Sequence, residues 1–182
     1  RQLSAWQRNV RTREPIFVSV NVSSRQLLRH DLIHDLRTVL SRSGLARGSL
    51  KLELTESIVM ENPEHAAQLL TRLKELGAGL ALDDFGTGHS SLAYLQRFPF
   101  DTIKIDQSFI TNLERSAQSK AIVRAIVGLA HGLGVPVIAE GVELEEQRSL
   151  LAGQGCQAFQ GFHFGRPVPV DALEFEGGPR TT

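Results

Sequence analysis

The sequence is short of cysteine, of net charge and of long apolar runs, and each shortage closes off a class of protein. A single cysteine, Cys156, excludes an intrachain disulfide and suits a reducing compartment. Lys and Arg together number 20, as do Asp and Glu, so the net charge is zero. That balance gives no reason to expect a broad surface for duplex nucleic acid or anionic membrane, and leaves room only for a local basic pocket. No apolar run approaches the ~20 residues that span a bilayer, and no signal peptide heads the chain. A soluble cytoplasmic domain is the expectation. What remains is ordinary: 182 residues, 41% hydrophobic and 22% charged, enough for one domain with a sizeable core.

Short apolar runs alternate with segments of helical period. Strands are predicted over Ile16–Val22, Leu50–Thr55, Gly79–Asp83, Thr102–Asp106, Val135–Ala139 and Gln157–Phe162. Between them, Leu28, Leu32, Leu36 and Leu40 form a stripe that predicts a helix over Gln26–Leu40. Asn62, Pro63 and Gly77 mark the start and stop of another. Further helices are predicted over Ser90–Leu95, Ala121–His131 and Glu143–Ala152. The tail after Asp171 starts one more helix and ends in Gly-Gly-Pro-Arg-Thr-Thr, so the domain is drawn as 1–170 with a frayed end over 171–182.

Strict alternation of strand and helix means parallel strands with right-handed crossovers. Parallel sheets are covered on both faces, so their strands should be apolar throughout. These are two-faced instead. Ser19 and Asn21 oppose Val18, Val20 and Val22; Glu53 and Thr55 oppose Leu52 and Leu54; Lys104 and Asp106 oppose Ile103 and Ile105. An apolar face against helices and a polar face lining an interior fit a (β/α) barrel of the TIM type, with polar residues in its C-terminal mouth. An open doubly wound sheet is the runner-up. It would need a phosphate loop such as G-x-G-x-x-G after its first strand, and there is none.

The fullest strand reads Leu80-Ala81-Leu82-Asp83-Asp84-Phe85-Gly86-Thr87-Gly88. An apolar run stops at two adjacent carboxylates, which repel each other and are best tolerated beside cations. Other strand ends add Asn21, Glu53, Lys104, Asp106, Glu140 and Gln160. Taken singly, each acid is better read as a helix cap or a salt-bridge partner; the whole series at equivalent strand ends is not. Hard oxygen donors without a Cys or His cluster favour Mg²⁺ or Mn²⁺ over Zn²⁺, and several carboxylates in one mouth suit a two-metal site for phosphoryl transfer. Lys104 reads either as an electrostatic group holding phosphate or water, or as a Schiff-base lysine; its acidic surroundings favour the first. The six histidines form no ligand pattern. His30 and His34, each followed by an aspartate (Asp31 and Asp35), read as a solvated helix face. Phe162 reads as core packing or as a platform for a base.

These motifs resemble the EAL domain family. The resemblance is carried by Asn21-Val22-Ser23-Ser24-Arg25-Gln26-Leu27, Glu53-Leu54-Thr55-Glu56-Ser57, the Asp83–Gly88 run, Lys104-Ile105-Asp106, Ala139-Glu140-Gly141-Val142-Glu143, and Gln160-Gly161-Phe162 with Arg166-Pro167. Order and spacing fit as far as Pro169. The resemblance implies a TIM-like barrel that hydrolyses cyclic di-GMP to linear pGpG with two Mg²⁺ or Mn²⁺ ions, Ca²⁺ being inhibitory. It implies metal-ligand or ligand-positioning roles for Asn21, Glu53, Asp83, Asp84 and Glu140. Lys104 would hold the nucleophilic water, and Asp106 would support the metal or Lys104. Glu56 would brace the loop after Asp84, Gln160 would orient water or phosphate, and Glu143 and Pro167 would lie at the rim. Substrate contacts are implied for Asn21, Gln160, Phe162 and Pro167, and catalytic roles for Lys104, Glu140, Asp83, Glu56 and Gln160. The loop from Phe85 to Leu92 would couple the site to a homodimer interface, and other signalling domains would sit on a longer parent chain.

Two departures accompany the resemblance. The Glu-Ala-Leu stretch that names the family, and whose Glu is a metal ligand there, is absent from this sequence. The chain begins within what reads as the following helix, with Leu3, Trp6 and Val10 as its stripe, so the barrel is expected to lack its first strand or strands. His89 stands where the family commonly has Tyr. A sensor that binds the nucleotide without cleaving it, or a dimerisation module, is the alternative to the enzyme.

Overall fold

The computed structural model describes residues 2–10, 15–27, 31–88 and 92–173. Leu28, His30, His89 and the end of the tail lie outside the described residues. Six strands form one sheet in sequential order, β1 to β6, and all five pairings are parallel. The strands are β1 (Val18–Asn21), β2 (Leu50–Thr55), β3 (Gly79–Phe85), β4 (Thr102–Ile105), β5 (Val137–Ala139) and β6 (Ala158–Phe159). Helices α1 (Gln2–Asn9), α2 (Ser24–Leu27), α3 (Leu32–Ser43), α4 (Glu56–Glu61), α5 (Pro63–Leu76), α6 (Leu92–Leu95), α7 (Gln107–Ile110), α8 (Ala117–Leu133) and α9 (Glu145–Gly153) fill the connections. Sequential parallel order with a helix in each crossover is the wall of a TIM-like barrel. The sheet curls as an incomplete barrel, with β1 and β6 at its open edges.

The two-faced strands sort as their alternation predicts. Leu52, Leu54, Leu80, Leu82, Ile103 and Ile105 are buried toward the helices. Helix α5 meets them with Ala66, Leu70 and Leu73, and α8 with Val123, Ile126, Val127 and Ala130. Side chains spaced three and four apart lie on one helix face, which is why these form the contact stripe. The ends of α5 are set locally: Asn62 Oδ1 accepts from the His65 N–H at 3.2 Å, Pro63 opens the helix, and Gly77 closes it at φ 98°.

Several boundaries differ from the sequence expectation. The stretch expected as one helix over Gln26–Leu40 is divided between α2 and α3. Helices α4 and α7 are too short to show a periodic stripe. β5 starts after Pro136, which has no N–H to give to a ladder. The expected helix after Asp171 is a 3₁₀ turn over Val170–Ala172. Val20 was expected to meet helices, yet it is 45% exposed, because β1 is an edge strand paired only with β2 among the described residues.

Candidate active site

At the C-terminal ends of the strands the polar faces converge. Asn21 of β1 is in register with Glu53 of β2, so their side chains share the inner face. On β3, alternation alone would send Asp83 and Asp84 to opposite faces. A bulge prevents this: Leu82 pairs with Ile103 and Phe85 with Ile105, so one extra residue sits on β3 against β4. Asp84 takes up the irregularity at φ 52°, a left-handed conformation unusual for a residue with a Cβ. The outcome is that ligand oxygens from Asp83, Asp84 and Glu140 all lie within 4.8 Å of one another.

Lys104 is the hub, at 2% exposure. Its Nζ lies 2.6 Å from Glu140 Oε1, 2.8 Å from Glu53 Oε2 and 3.1 Å from Asp83 Oδ1. Burial opposes its charge, but the hydrogen bonds it donates to Glu140 and Glu53 and the field of Glu140 and Asp83 outweigh burial and push its pKa up. Lys104 is therefore a fixed ammonium, which disfavours the Schiff-base reading. Burial also pushes the Asp84 carboxyl up, reinforced by the neighbouring charges of Asp83 and Asp106. Glu140 is raised by burial too, against the pull of Lys104. Glu53, Asp83, Asp84, Asp106 and Glu140 thus crowd around a single ammonium. That excess of negative charge, made of hard oxygen donors, suits divalent cations of the Mg²⁺ or Mn²⁺ kind.

The remaining predicted residues divide. Asp84, Asp106, Glu140, Gln160 and Phe162 line a cavity of about 270 Å³, together with Glu143. Asp106 also caps α7, its Oδ1 accepting from the Ser108 N–H at 2.9 Å. Glu56 stands below the mouth at 1% exposure, and its Oε2 accepts from the N–H groups of Gly86 at 2.9 Å and Gly88 at 3.3 Å. A Cβ at Gly88 would fall 2.7 Å from Glu56 Oε1, so a larger residue there would have to displace the acid's carboxylate. Asn21 is exposed on the edge strand, and Pro167 is exposed beyond the cavity's lining residues. Sequence reasoning missed Gln107 and Gly141, which also line the cavity. Their only signal was their place immediately after Asp106 and Glu140.

A family model described as the EAL domain matches residues 1–167. Among curated proteins, the chain is 48% identical over 170 residues to an uncharacterized signaling protein of Caulobacter vibrioides, covering 93% of this chain and 20% of that one. It is 44% identical over 161 residues to the cyclic di-GMP phosphodiesterase NbdA of Pseudomonas aeruginosa, covering 88% of this chain and 21% of that one. Among solved structures, the PaMucR phosphodiesterase in complex with c-di-GMP superposes with a TM-score of 0.88 at 39% identity, over 93% of this chain and 68% of that one. A manganese and cyclic di-GMP complex of Klebsiella pneumoniae BlrP1 gives 0.76 at 35% identity, over 83% and 39%. The chain spans about a fifth of the length of these curated relatives.

Proposed function

The chain belongs to the EAL domain family, and from that premise we propose that it hydrolyses cyclic di-GMP to linear pGpG with divalent cations at the strand ends. The observation that carries this reading is the Lys104 hub with its paired acids, Asp83 and Asp84, turned into one mouth by the β3 bulge. Asp83, Asp84 and Glu140 would hold the metal, with Glu53, Asn21 and Asp106 completing or supporting the ligand set. Two bound Mg²⁺ or Mn²⁺ ions would supply activation of water and neutralisation of phosphoryl charge.

The chain's own residues do the rest. The three N–H groups of Lys104 go to Glu53, Asp83 and Glu140; with those acids turned to a metal, one N–H would be released to the attacking water, and the ammonium would offset charge on the phosphoryl oxygens. Gln160, on the cavity wall, orients water or phosphate. Phe162 offers its exposed ring to a guanine. Glu56 holds the loop after Asp84 closed through Gly86 and Gly88. The products fix the bond change: a bond forms between the water oxygen and phosphorus, the bond from phosphorus to one ribose 3′ oxygen breaks, and that oxygen leaves with a proton. Residues 1–170 are assigned to this activity and 171–182 to a tail. A homodimer, other signalling domains on a longer parent chain and a cytoplasmic setting belong to the same proposal. No helix among the described residues is long and apolar enough to cross a membrane.

The test is incubation of the full chain with cyclic di-GMP in Mg²⁺, Mn²⁺ or Ca²⁺, following nucleotide binding by calorimetry and pGpG by chromatography. Slow release of pGpG in Mg²⁺ or Mn²⁺, with binding but no release in Ca²⁺, is expected, since the Glu of the family's Glu-Ala-Leu stretch is absent from this sequence. Binding without release under every condition would assign the sensor role instead. Absence of both would overturn the reading.

A further inference from the structure

The outer wall of the cavity is the turn that follows β6. Its first half is tied to the loop after β5 through the backbone. Val142 N–H donates to Gln160 O at 3.0 Å, and His163 N–H donates to Val142 O at 3.0 Å. A Cβ at Gly161 would fall 2.1 Å from Val142 O, so the two backbones touch there only because the residue is glycine. Past His163 no further backbone hydrogen bond to Val142 is made among the described residues, and the attachment passes to side chains. His163 Nε2 stands 3.1 Å from Glu145 Oε2 in the first turn of α9. Glu145 is itself anchored: Arg148 Nε donates to its two oxygens at 2.9 and 2.8 Å, and Ser149 Oγ donates to Oε1 at 3.0 Å. The His163 ring meets Phe164 edge-on at 5.0 Å, and Phe164 stacks on Phe159 of β6. On either side of this strut lie Phe162, 51% exposed at the cavity edge, and Arg166, whose guanidinium lies 4.7 Å over the Phe162 ring.

We propose that His163, through Glu145, is a positioning residue that fixes Phe162 and Arg166 over the cavity and so sets affinity for a guanine-bearing cyclic dinucleotide. The inference rests on the hydrolase reading above. A polar contact this exposed adds little to the stability of the fold. Its effect falls on an exposed ring whose orientation depends on the turn that carries it. Binding through a stacked base is sensitive to that orientation, while the Lys104 hub is held by a separate set of contacts.

The experiment compares the full chain with His163→Leu, His163→Gln and Phe162→Ala, and with the Phe162→Ala and His163→Leu double variant. It reads kcat and KM for cyclic di-GMP in Mn²⁺, together with the melting temperature. His163→Leu should raise KM roughly three- to fivefold, the equivalent of one exposed hydrogen bond, and leave kcat within about twofold. Its melting temperature should not change. His163→Gln, which can still donate to Glu145, should recover most of the KM. In the Phe162→Ala background, His163→Leu should have no further effect, because the two act through one ring. Unchanged KM in His163→Leu, alongside a wild-type chain that binds and cleaves, overturns the strut alone. Additive effects in the double variant do the same. A wild-type chain that neither binds nor cleaves overturns the hydrolase reading, and the strut with it.

Discussion

The two ends of the sheet treat their charged side chains in opposite ways. At the N-terminal end Lys74, Asp101, Arg47 and Lys51 each have a local partner. Lys74 pairs with Asp101, whose other oxygen accepts from the Leu80 N–H at 2.8 Å. Arg47 Nη2 donates to the carbonyls of Lys74 at 3.0 Å and Glu75 at 3.3 Å, capping α5. Lys51 Nζ lies 3.8 Å over the Phe17 ring. At the C-terminal end Glu53, Asp83 and Glu140 share one lysine, while Asp84 and Asp106 crowd beside them. The first arrangement is what folding alone would select. The second opposes folding, since like charges are packed together out of water. In barrels of this kind the bottom face serves stability and the top face chemistry, and here that division can be read from which charges are satisfied.

The largest expected effect lies at the top. Asp83→Asn keeps an acceptor for the Asp84 N–H, which now bonds to Asp83 Oδ1 at 3.2 Å, and for Lys104. It removes one negative charge from an overcrowded cluster. Turnover of cyclic di-GMP should fall by about 10²–10³-fold or more. The melting temperature of the metal-free chain should stay level or rise slightly. Loss of activity together with a clear loss of metal-free stability would mean that the top acids are structural, and the contrast between the ends would fail. Unchanged Mn²⁺ binding by calorimetry would remove Asp83 from the ligand set.

The second effect concerns metal and pH. Asp84 and Glu140 have folded-state pKa values above their unfolded values, both through burial first. Such groups bind protons more tightly in the folded chain. Their contribution to stability is therefore greatest in acid, and is lost as pH rises from about 4 through the folded values. Lys104 has the opposite sign of charge and a raised pKa, so its contribution is present below about 10.4 and is lost only above that. Once Asp84 and Glu140 are ionised, the metal-free cluster opposes folding more than it does in acid, and a divalent cation has more to relieve. At a hundredfold excess over its Kd, Mn²⁺ should raise the melting temperature by ~5 °C or more at pH 8. At the same Mn²⁺ concentration the gain should be smaller at pH 5, because raised pKa values let protons compete with the metal for Asp84 and Glu140 more as the solution becomes more acid. Thermal scans at the two pH values decide it; equal gains would place the metal on other groups.

Much of the contrast was legible in the sequence. Alternation of apolar and polar residues on β2 and β4 told which face would meet helices, because the period of a strand is two. Asn62, Pro63 and Gly77 bounded α5 because caps have their own local chemistry. What was not legible is how Asp83 and Asp84 come to point the same way. Adjacent residues on a strand diverge, and only the register between β3 and β4, with Asp84 at φ 52°, reveals the bulge that turns both inward. The pairing of His163 with Glu145 was equally invisible, being a contact between a helix start and a turn that no local pattern encodes. Gln107 entered the cavity wall for the same kind of reason: α7 begins at a strand end, and a four-residue helix leaves no periodic trace.

The smallest expected effect lies at the bottom of the sheet, and it is the control on which the comparison turns. Asp101 receives the Leu80 N–H and the Lys74 ammonium just before β4, far along the strands from the Lys104 hub. Asp101→Ala leaves the amide without that acceptor and frees a half-exposed lysine that water can solvate. The loss should be about 1–2 kcal/mol of unfolding free energy, set mainly by the amide. Asp101→Asn keeps an acceptor for Leu80 and should lose less than half as much. Neither change alters the charge or the geometry of the mouth, so kcat/KM for cyclic di-GMP should stay within about twofold while the folded state persists. Urea titration and steady-state kinetics on the same preparations give both numbers. If Asp101→Ala lowers turnover as far as Asp83→Asn does, the two ends are coupled through β3, and satisfied charge no longer separates the structural end of this barrel from the chemical one.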